Sequence, residues 1–402
     1  MSFWWILYMI DGLAFFFVGL TVLYFFVFSV ASLFSRHTTV PKAKRQCRFI
    51  VLIPAYKQDK VVLHSVSAIL GQTYAQRQFD VIVISDHQSQ LTNMRLAQYP
   101  ITLLTPDFAE SSKAKSLQYA MLNLPQFKIY DAVIILDADN VVEPEFLEHM
   151  NDAFEVAGTK AIQPHRMSKN RDTAPARLDA IFEEINNSIF RRGHITMGLS
   201  AAINGSGMAY DFEWFKNHIM KVRTQGEDKE LEAMLMREQV FVDYFDNIHV
   251  FDEKTRNTRD FNQQRGRWAA TQLHSLINNI RFLPSALFNR RYDQVDKIIQ
   301  WMLVPRTIMM GIILLMSIIL PFIYMTLAIK WWVIAALAMF SFSLATPDYL
   351  VDKNWDKDFL HAPLLIVWGL LNIASVGRSE ADNRIGSLSR FVKRHTPRFK
   401  KS

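Results

Sequence analysis

An α/β fold built on a mainly parallel sheet and set between membrane-spanning segments is predicted by three features of this 402-residue chain. Residues 48 to about 281 alternate short apolar runs with helical stretches, the pattern of βα units. Several of those runs stop abruptly at polar residues, as strands do when they reach the edge of a buried sheet. The two ends of the chain are far more apolar than this middle part.

The central strand is the run from Ala132 to Asn140, AVIILDADN. Five apolar residues are too few for a helix and read as a strand buried on both faces. It delivers Asp137 and Asp139 to the carboxyl edge of the sheet, where open α/β sheets bind ligands. Two acids this close can share a hard divalent cation carrying a diphosphate. The ordinary alternative is an Asp-rich turn, with Asn140 and Glu143 capping a helix that starts near Pro144.

Other strand ends converge on the same edge. Phe49 to Ile53 is closed by Pro54-Ala55-Tyr56, and Phe79 to Ile84 by Ser85-Asp86; Ile101 to Leu104 reads as a third strand. Ser112 to Leu122 reads as a helix holding Lys113 and Lys115. Asn204 to Met208 (NGSGM) is a Gly-rich turn, and Gln225-Gly226-Glu227-Asp228 opens a helix through Arg237. Glu227 and Asp228 fit first-turn acids facing a helix dipole, or an aspartate poised as general base for an acceptor hydroxyl. Phe261 to Trp268 (FNQQRGRW) fits a solvated helix face with an aromatic anchor. Read functionally, Arg267 neutralises a leaving diphosphate and Trp268 offers a platform for a sugar ring.

Half the residues are apolar, 13% are aromatic and the net charge is +7. Much of the basic surplus lies beside the apolar segments, which points to anionic lipid headgroups and away from nucleic acid. A single cysteine, Cys47, excludes an internal disulfide. Phe3 to Phe34 exceeds the roughly 20 residues that cross a bilayer, and no basic residue precedes it as in a secretory signal. Arg36, Lys42, Lys44, Arg45 and Arg48 follow it and place the next domain in the cytoplasm. Gln294 to Met302 is suited to the membrane interface; Pro305 to Ile329 and Trp331 to Thr346 read as two further spans. Leu360 to Val376 precedes a tail carrying eight Lys or Arg, and positive-inside logic favours laying it on the cytoplasmic face. The expected organisation is a membrane helix (1–35), a catalytic domain (48–290), an interfacial helix with two spans (293–350) and a terminal segment with basic tail (357–402).

The ordered set Pro54-Ala55-Tyr56, Ser85-Asp86, Lys113, Asp137-Ala-Asp139, Gly226-Glu227-Asp228 and Gln264-x-x-Arg267-Trp268 resembles the membrane-embedded family 2 glycosyltransferases, which include cellulose, chitin and hyaluronan synthases. The likeness covers about residues 48 to 270. Glu183 to Asn187 and Gly205 to Met208 look similar to a bacterial subgroup of these enzymes. The resemblance implies an inverting GT-A (Rossmann-like) domain in the cytoplasm, inserted between transmembrane helices and fed by a nucleotide-sugar donor. It puts Pro54, Ala55, Tyr56, Asp86, Lys113, Asp137 and Gln264 at the donor, and Asp139 with Asp137 on Mg²⁺ or Mn²⁺. It makes Asp228 the base, places Arg267 at the diphosphate, and puts Trp268, Gly207 and Glu227 on the acceptor side. Two departures stand out: Lys57-Gln58 replaces an Asn-Glu pair common in relatives, and Asp86-His87-Gln88 replaces two aspartates or a glycine.

The acceptor reading leans to a growing polysaccharide or oligosaccharide, with single-sugar transfer to a lipid-linked acceptor as the alternative. A homo-oligomer or a partner subunit stays open. A non-catalytic membrane scaffold predicts losses among Asp137, Asp139, Asp228 and Arg267, and all four are present. A transporter is disfavoured because paired intramembrane charges are expected to be absent.

Overall fold

The computed structural model describes residues 3–35, 40–125, 127–224 and 226–350. In chain order the elements are α1 (Phe3–Leu33), β1 (Phe49–Tyr56), α2 (Val62–Leu70), β2 (Phe79–Asp86), α3 (Gln90–Leu96), β3 (Thr102–Leu104), α4 (Lys113–Leu122), β4 (Ala132–Ile135), β5 (Val141–Val142), α5 (Phe146–Ala157), β6 (Ala161–Ser168) and α6 (Ala174–Asn186). A π-helical turn, Asn187–Gly193, leads into α7 (His194–Thr196). Then come β7 (Ala209–Asp211), α8 (Phe212–Ile219), α9 (Glu227–Arg237), β8 (Val242–Asp252), α10 (Thr258–Asn279), α11 (Leu283–Phe288), α12 (Tyr292–Met302), α13 (Arg306–Ile323) and α14 (Met325–Ala345). The expectations for Leu360 to Val376 and the basic tail fall outside the described residues.

One eight-stranded sheet runs in the order β3-β2-β1-β4-β7-β6-β8-β5. The first four strands are parallel, which sends the ends of β1, β2 and β4 to one edge. In this register Tyr56 lies beside Asp86. Beyond β4 the sheet is mixed: β7 is antiparallel to β4 and β6, while β8 is parallel to β6 and antiparallel to β5. β1 and β4 lie between two layers, and Phe49 to Ile53 and Ala132 to Leu136 are fully buried. That explains their unbroken apolar runs. Ser112 accepts from the Lys115 N–H and caps α4, as its sequence position suggests. The helix after β5 instead begins at Phe146, and Glu145 supplies no side-chain cap.

Among the described residues, three helices are long and apolar enough to cross a membrane: Trp5–Leu33 of α1, Arg306–Ile323 and Met325–Ala345. The break between the last two comes at Tyr324, not near Lys330 where the apolar runs suggest it. Lys330 lies inside α14 because it is ion-paired with Asp11 of α1, and Trp331 Nε1 donates to the same carboxylate at 2.8 Å. The expectation of no paired intramembrane charge is thereby corrected. The pair neutralises itself, so each ion tolerates an apolar setting.

The membrane helices are tied to the sheet domain through polar contacts as well as packing. Tyr24 of α1 donates to Asp296 at 2.7 Å, and Gln300 joins Asp296 to Lys297. Lys297, 2% exposed, pairs with Glu232 of α9 at 2.9 Å. Thus α12 turns Asp296 and Lys297 inward to α1 and α9, although their place beside Ile298 and Trp301 suggests an outward polar face. At Gly193 a Cβ would strike the Phe28 carbonyl, so the π-helical turn needs glycine to approach α1.

Candidate active site

A cleft of about 320 Å³ opens at the carboxyl edge of the parallel strands. Pro54, Tyr56, Gln58, Asp137, Asp139, Gln264 and Trp268 line it. Ala138, Arg166, Asp179 and the run Asp252 to Lys254 complete its lining. Six of the residues singled out by sequence therefore share one cavity, although they span more than 200 positions.

The geometry is set by a few backbone contacts. Gly207 N–H donates to Ile135 O at 2.7 Å and Ile135 N–H to Met208 O at 3.0 Å, so the Gly-rich turn is fastened to the end of β4. Gly207 has φ +71°, and a Cβ there would lie 2.6 Å from Val250 Cγ2. It is buried and does not line the cleft. Gly207→Ala should therefore cost about 2–4 kcal/mol, from left-handed backbone strain and overpacking together, as read from the denaturation midpoint. Asn140 Oδ1 accepts from the Asp137 N–H at 2.9 Å and from Ser206, holding the carboxylate in place.

Lys113 is the hub of the charged groups. Its ammonium bonds Asp137 Oδ1 at 2.5 Å and Gly205 O at 2.6 Å, and lies 3.4 Å from Glu227 Oε1. Burial opposes ionisation of Asp137, but Lys113 and Arg166 outweigh it and hold the carboxyl below its usual range. Asp139 goes the other way: burial, then Asp137 and Asp252, push it up to about 6. Burial also pushes Glu227 up to about 7, against the pull of Lys113 and with the help of Asp228. Asp228 lies on the first turn of α9 beside Gly205, where a Cβ would be 3.5 Å from Asp228 Oδ2.

The remaining candidates lie around this centre. Asp86 is buried at the end of β2; Oδ1 meets His87 Nδ1 at 2.5 Å, whereas Oδ2 has no partner among the described residues. Lys57 and His87, the residues after β1 and β2, have φ of 52° and 56°, the left-handed conformation that ends both strands sharply. Ala55 is buried under the edge. Gln264 Oε1 is buried without a partner among the described residues, and Trp268 is 39% exposed with Arg265 Cζ 4.7 Å from its ring centre. Arg267 is exposed outside the cleft, and its guanidinium has no hydrogen bond or ion pair among the described residues.

Arg166, Asp252, Lys254 and Asp179 line the cleft although sequence reading did not single them out. Arg166 is ion-paired with Asp252, which is 3.0 Å from Lys254. Desolvation disfavours the charged Arg166, but Asp252 and Glu183 overcome it and hold its pKa above the usual value. The only signal available was positional: Asp252 also ends a strand.

This cleft, lined by carboxylates with the Arg166 guanidinium and the Lys254 ammonium, lies at the edge of a sheet of GT-A type, the fold of enzymes that transfer sugars. The chain belongs to the glycosyltransferase-like family 2, whose model matches residues 46–271, more than half of its length. No curated protein matches it in sequence. Among solved structures, it is similar to the mannosyltransferase PcManGT from Pyrobaculum calidifontis, solved with GDP-Man and Mn²⁺ (TM-score 0.52, 12% identity, 82% of this chain and 98% of that one). A weaker likeness is to residues 1–349 of S. aureus TarS (TM-score 0.42, 11% identity, 83% and 92% covered). The three apolar helices stand at the N-terminal and C-terminal sides of the family domain.

Proposed function

We propose that the chain is an inverting glycosyltransferase of the cytoplasmic membrane, which moves a sugar from a nucleoside diphosphate to a glycan carried on a lipid. The observation that carries this reading is the bridge made by Lys113. One ammonium bonds Asp137 in the cleft and lies 3.4 Å from Glu227, the residue before Asp228, so it links the carboxylate read as the donor side to the helix turn read as the acceptor side.

On the donor side, Tyr56, Asp86, Lys113 and Gln264 would bind the nucleotide. The partnerless oxygens of Asp86 and Gln264 are acceptors suited to donor N–H or O–H groups. Asp137 and Asp139 would hold Mg²⁺ or Mn²⁺. The donor set fits, because two carboxylates that both line the cleft are hard oxygen ligands. The metal bound to PcManGT supports the same assignment. When present, it would neutralise charge on the departing diphosphate. Arg166 adds a fixed guanidinium from the wall, and the unpartnered Arg267 is free to swing to the mouth.

On the acceptor side, Trp268 would seat a sugar ring and Asp228 would take the proton of the attacking hydroxyl. The acceptor oxygen bonds to the anomeric carbon as the bond to the nucleoside diphosphate breaks. One displacement inverts the centre and needs no protein nucleophile. A lipid carrier is favoured over a polymer threaded through the protein because the interior of the three helices is packed with Val18, Val22, Phe25, Ile313, Trp331 and Ile334. The basic stretch after α1 supports a cytoplasmic sheet domain with the N-terminus outside.

The test is turnover by purified protein in lipid, with UDP-, GDP- and dTDP-sugars, Mg²⁺ or Mn²⁺, and products sized by mass spectrometry. Metal-dependent release of one nucleoside diphosphate with a sugar added to a lipid-borne glycan is expected. A long ladder of products would favour the polymer reading, and no donor binding at all would remove the enzyme reading of this cleft.

A further inference from the structure

α6 runs from the cleft toward the membrane helices and meets a succession of cations. Asp179, at the cleft, is ion-paired with Arg265. Glu183, one turn on, is shared by Arg191 at 3.1 Å and Lys254 at 3.6 Å. Phe182 and Asn186 receive Arg306, the first residue of α13. Arg306 Nη2 donates to Asn186 Oδ1, Nη1 donates to Phe182 O at 3.4 Å, and Cζ lies 5.3 Å from the Phe182 ring centre. Arg265 Cζ lies 5.0 Å from the same ring centre, so two guanidiniums share one aromatic side chain.

Their charge balance differs. Arg166, Arg191, Arg192 and Arg265 each have a carboxylate partner. Arg306 has none among the described residues, and the nearby Glu183 is already engaged by two other cations. Two of the five N–H donors of Arg306 bond neutral oxygens, which leaves three. A guanidinium held between protein walls beside a second cation calls for an anion. The described residues do not supply one.

We propose that Arg306, with Asn186 and Phe182 as its seat, binds the phosphate group of the lipid-linked acceptor. Guanidinium is matched to phosphate by its paired, planar donors. Arg306 opens a helix long and apolar enough to cross a membrane, so it stands at headgroup depth. Asn186 is seven residues past Asp179 on α6, about 10 Å at 1.5 Å per residue. That length suits a phosphate carrying one or two sugars, with its far end at the cleft. Trp268, beside Arg265 and lining the cleft, lies where such a sugar would pass. The assignment rests on the reading of the cleft as the donor site.

The experiment measures lipid retention by the full chain in detergent, using native mass spectrometry with a long-chain isoprenoid monophosphate as probe. The same isoprenoid as free alcohol, phosphatidate and inorganic phosphate are the comparisons. The monophosphate should bind at least tenfold more tightly than the alcohol and than phosphatidate. Arg306→Gln should lose tenfold or more of that affinity and Arg306→Lys less, while nucleotide-sugar affinity changes less than twofold. Equal binding of monophosphate and alcohol, or of wild type and Arg306→Gln, would overturn the proposal. Phosphatidate binding as tightly would reduce the site to a general headgroup contact, and displacement by equimolar inorganic phosphate would make it a free-anion site. Either result would overturn the acceptor assignment. Should Arg306→Gln fail to fold, the wild-type comparison of monophosphate with alcohol still decides. A wild type that binds no nucleotide sugar would strike the reading of the cleft, while the lipid arms still judge this site.

Discussion

Replacing Asp228 by asparagine is expected to slow sugar transfer by about 10³-fold, within the range that general-base groups contribute, while donor affinity changes less than twofold. The substitution keeps the shape of a side chain packed beside Gly205 and removes its proton-accepting charge. Asp228 does not line the cleft where the nucleotide would lie, so binding should survive. Initial rates and calorimetric donor titrations on the same preparation separate the two effects. Retained turnover would move the base to Glu227, whose carboxyl is buried one residue away and pushed up to about 7.

Asp139→Asn should lower metal-dependent donor affinity by about 100-fold, the upper end of what disturbing a metal site's supporting contacts costs. Asp137 is already engaged by Lys113, which leaves Asp139 as the carboxylate freer to meet a cation. The wild type carries a further signature. Because the metal-free Asp139 is pushed up to about 6, protons compete with the cation below that pH. Affinity should fall by up to about tenfold per pH unit as pH drops below 6 and level off above it. Asp139→Asn should lose that dependence. Titrating Mn²⁺ with a UDP-sugar, whose diphosphate has no group titrating in this range, from pH 5 to pH 8 checks both, and a wild-type affinity that stayed flat from pH 5 to pH 7 would remove Asp139 from the metal site.

Much of the cleft was legible because parallel strands end at one edge. Any apolar run that stops at a polar residue declares a position there, and Tyr56, Asp86, Asp137 and Asp139 all announce themselves this way. The rest of the lining was nearly silent, with the strand-end place of Asp252 as its one signal. Arg166 reaches the cleft through the parallel pairing of β6 with β8, in which Ser168 meets Asp252 across more than 80 residues of chain. A bulge between Pro164 and His165 further shifts that register. No local pattern encodes such a pairing.

The membrane part shows the same division. Three long apolar segments are a matter of composition, because a bilayer accepts any sequence that hides its backbone polar groups and carries few charges. Where the second of them ends is not. Lys330 looks like a boundary in the linear chain, and becomes an interior residue of α14 once Asp11, more than 300 positions away, neutralises it. Likewise Arg306 reads as an ordinary basic residue before a span, until α6 folds against it and provides no carboxylate. Period, apolarity and strand-end chemistry act between neighbours and so belong to the sequence. Charge balance acts through space at a few ångströms, so which ions are satisfied and which call for a ligand was decided by the packing of distant elements.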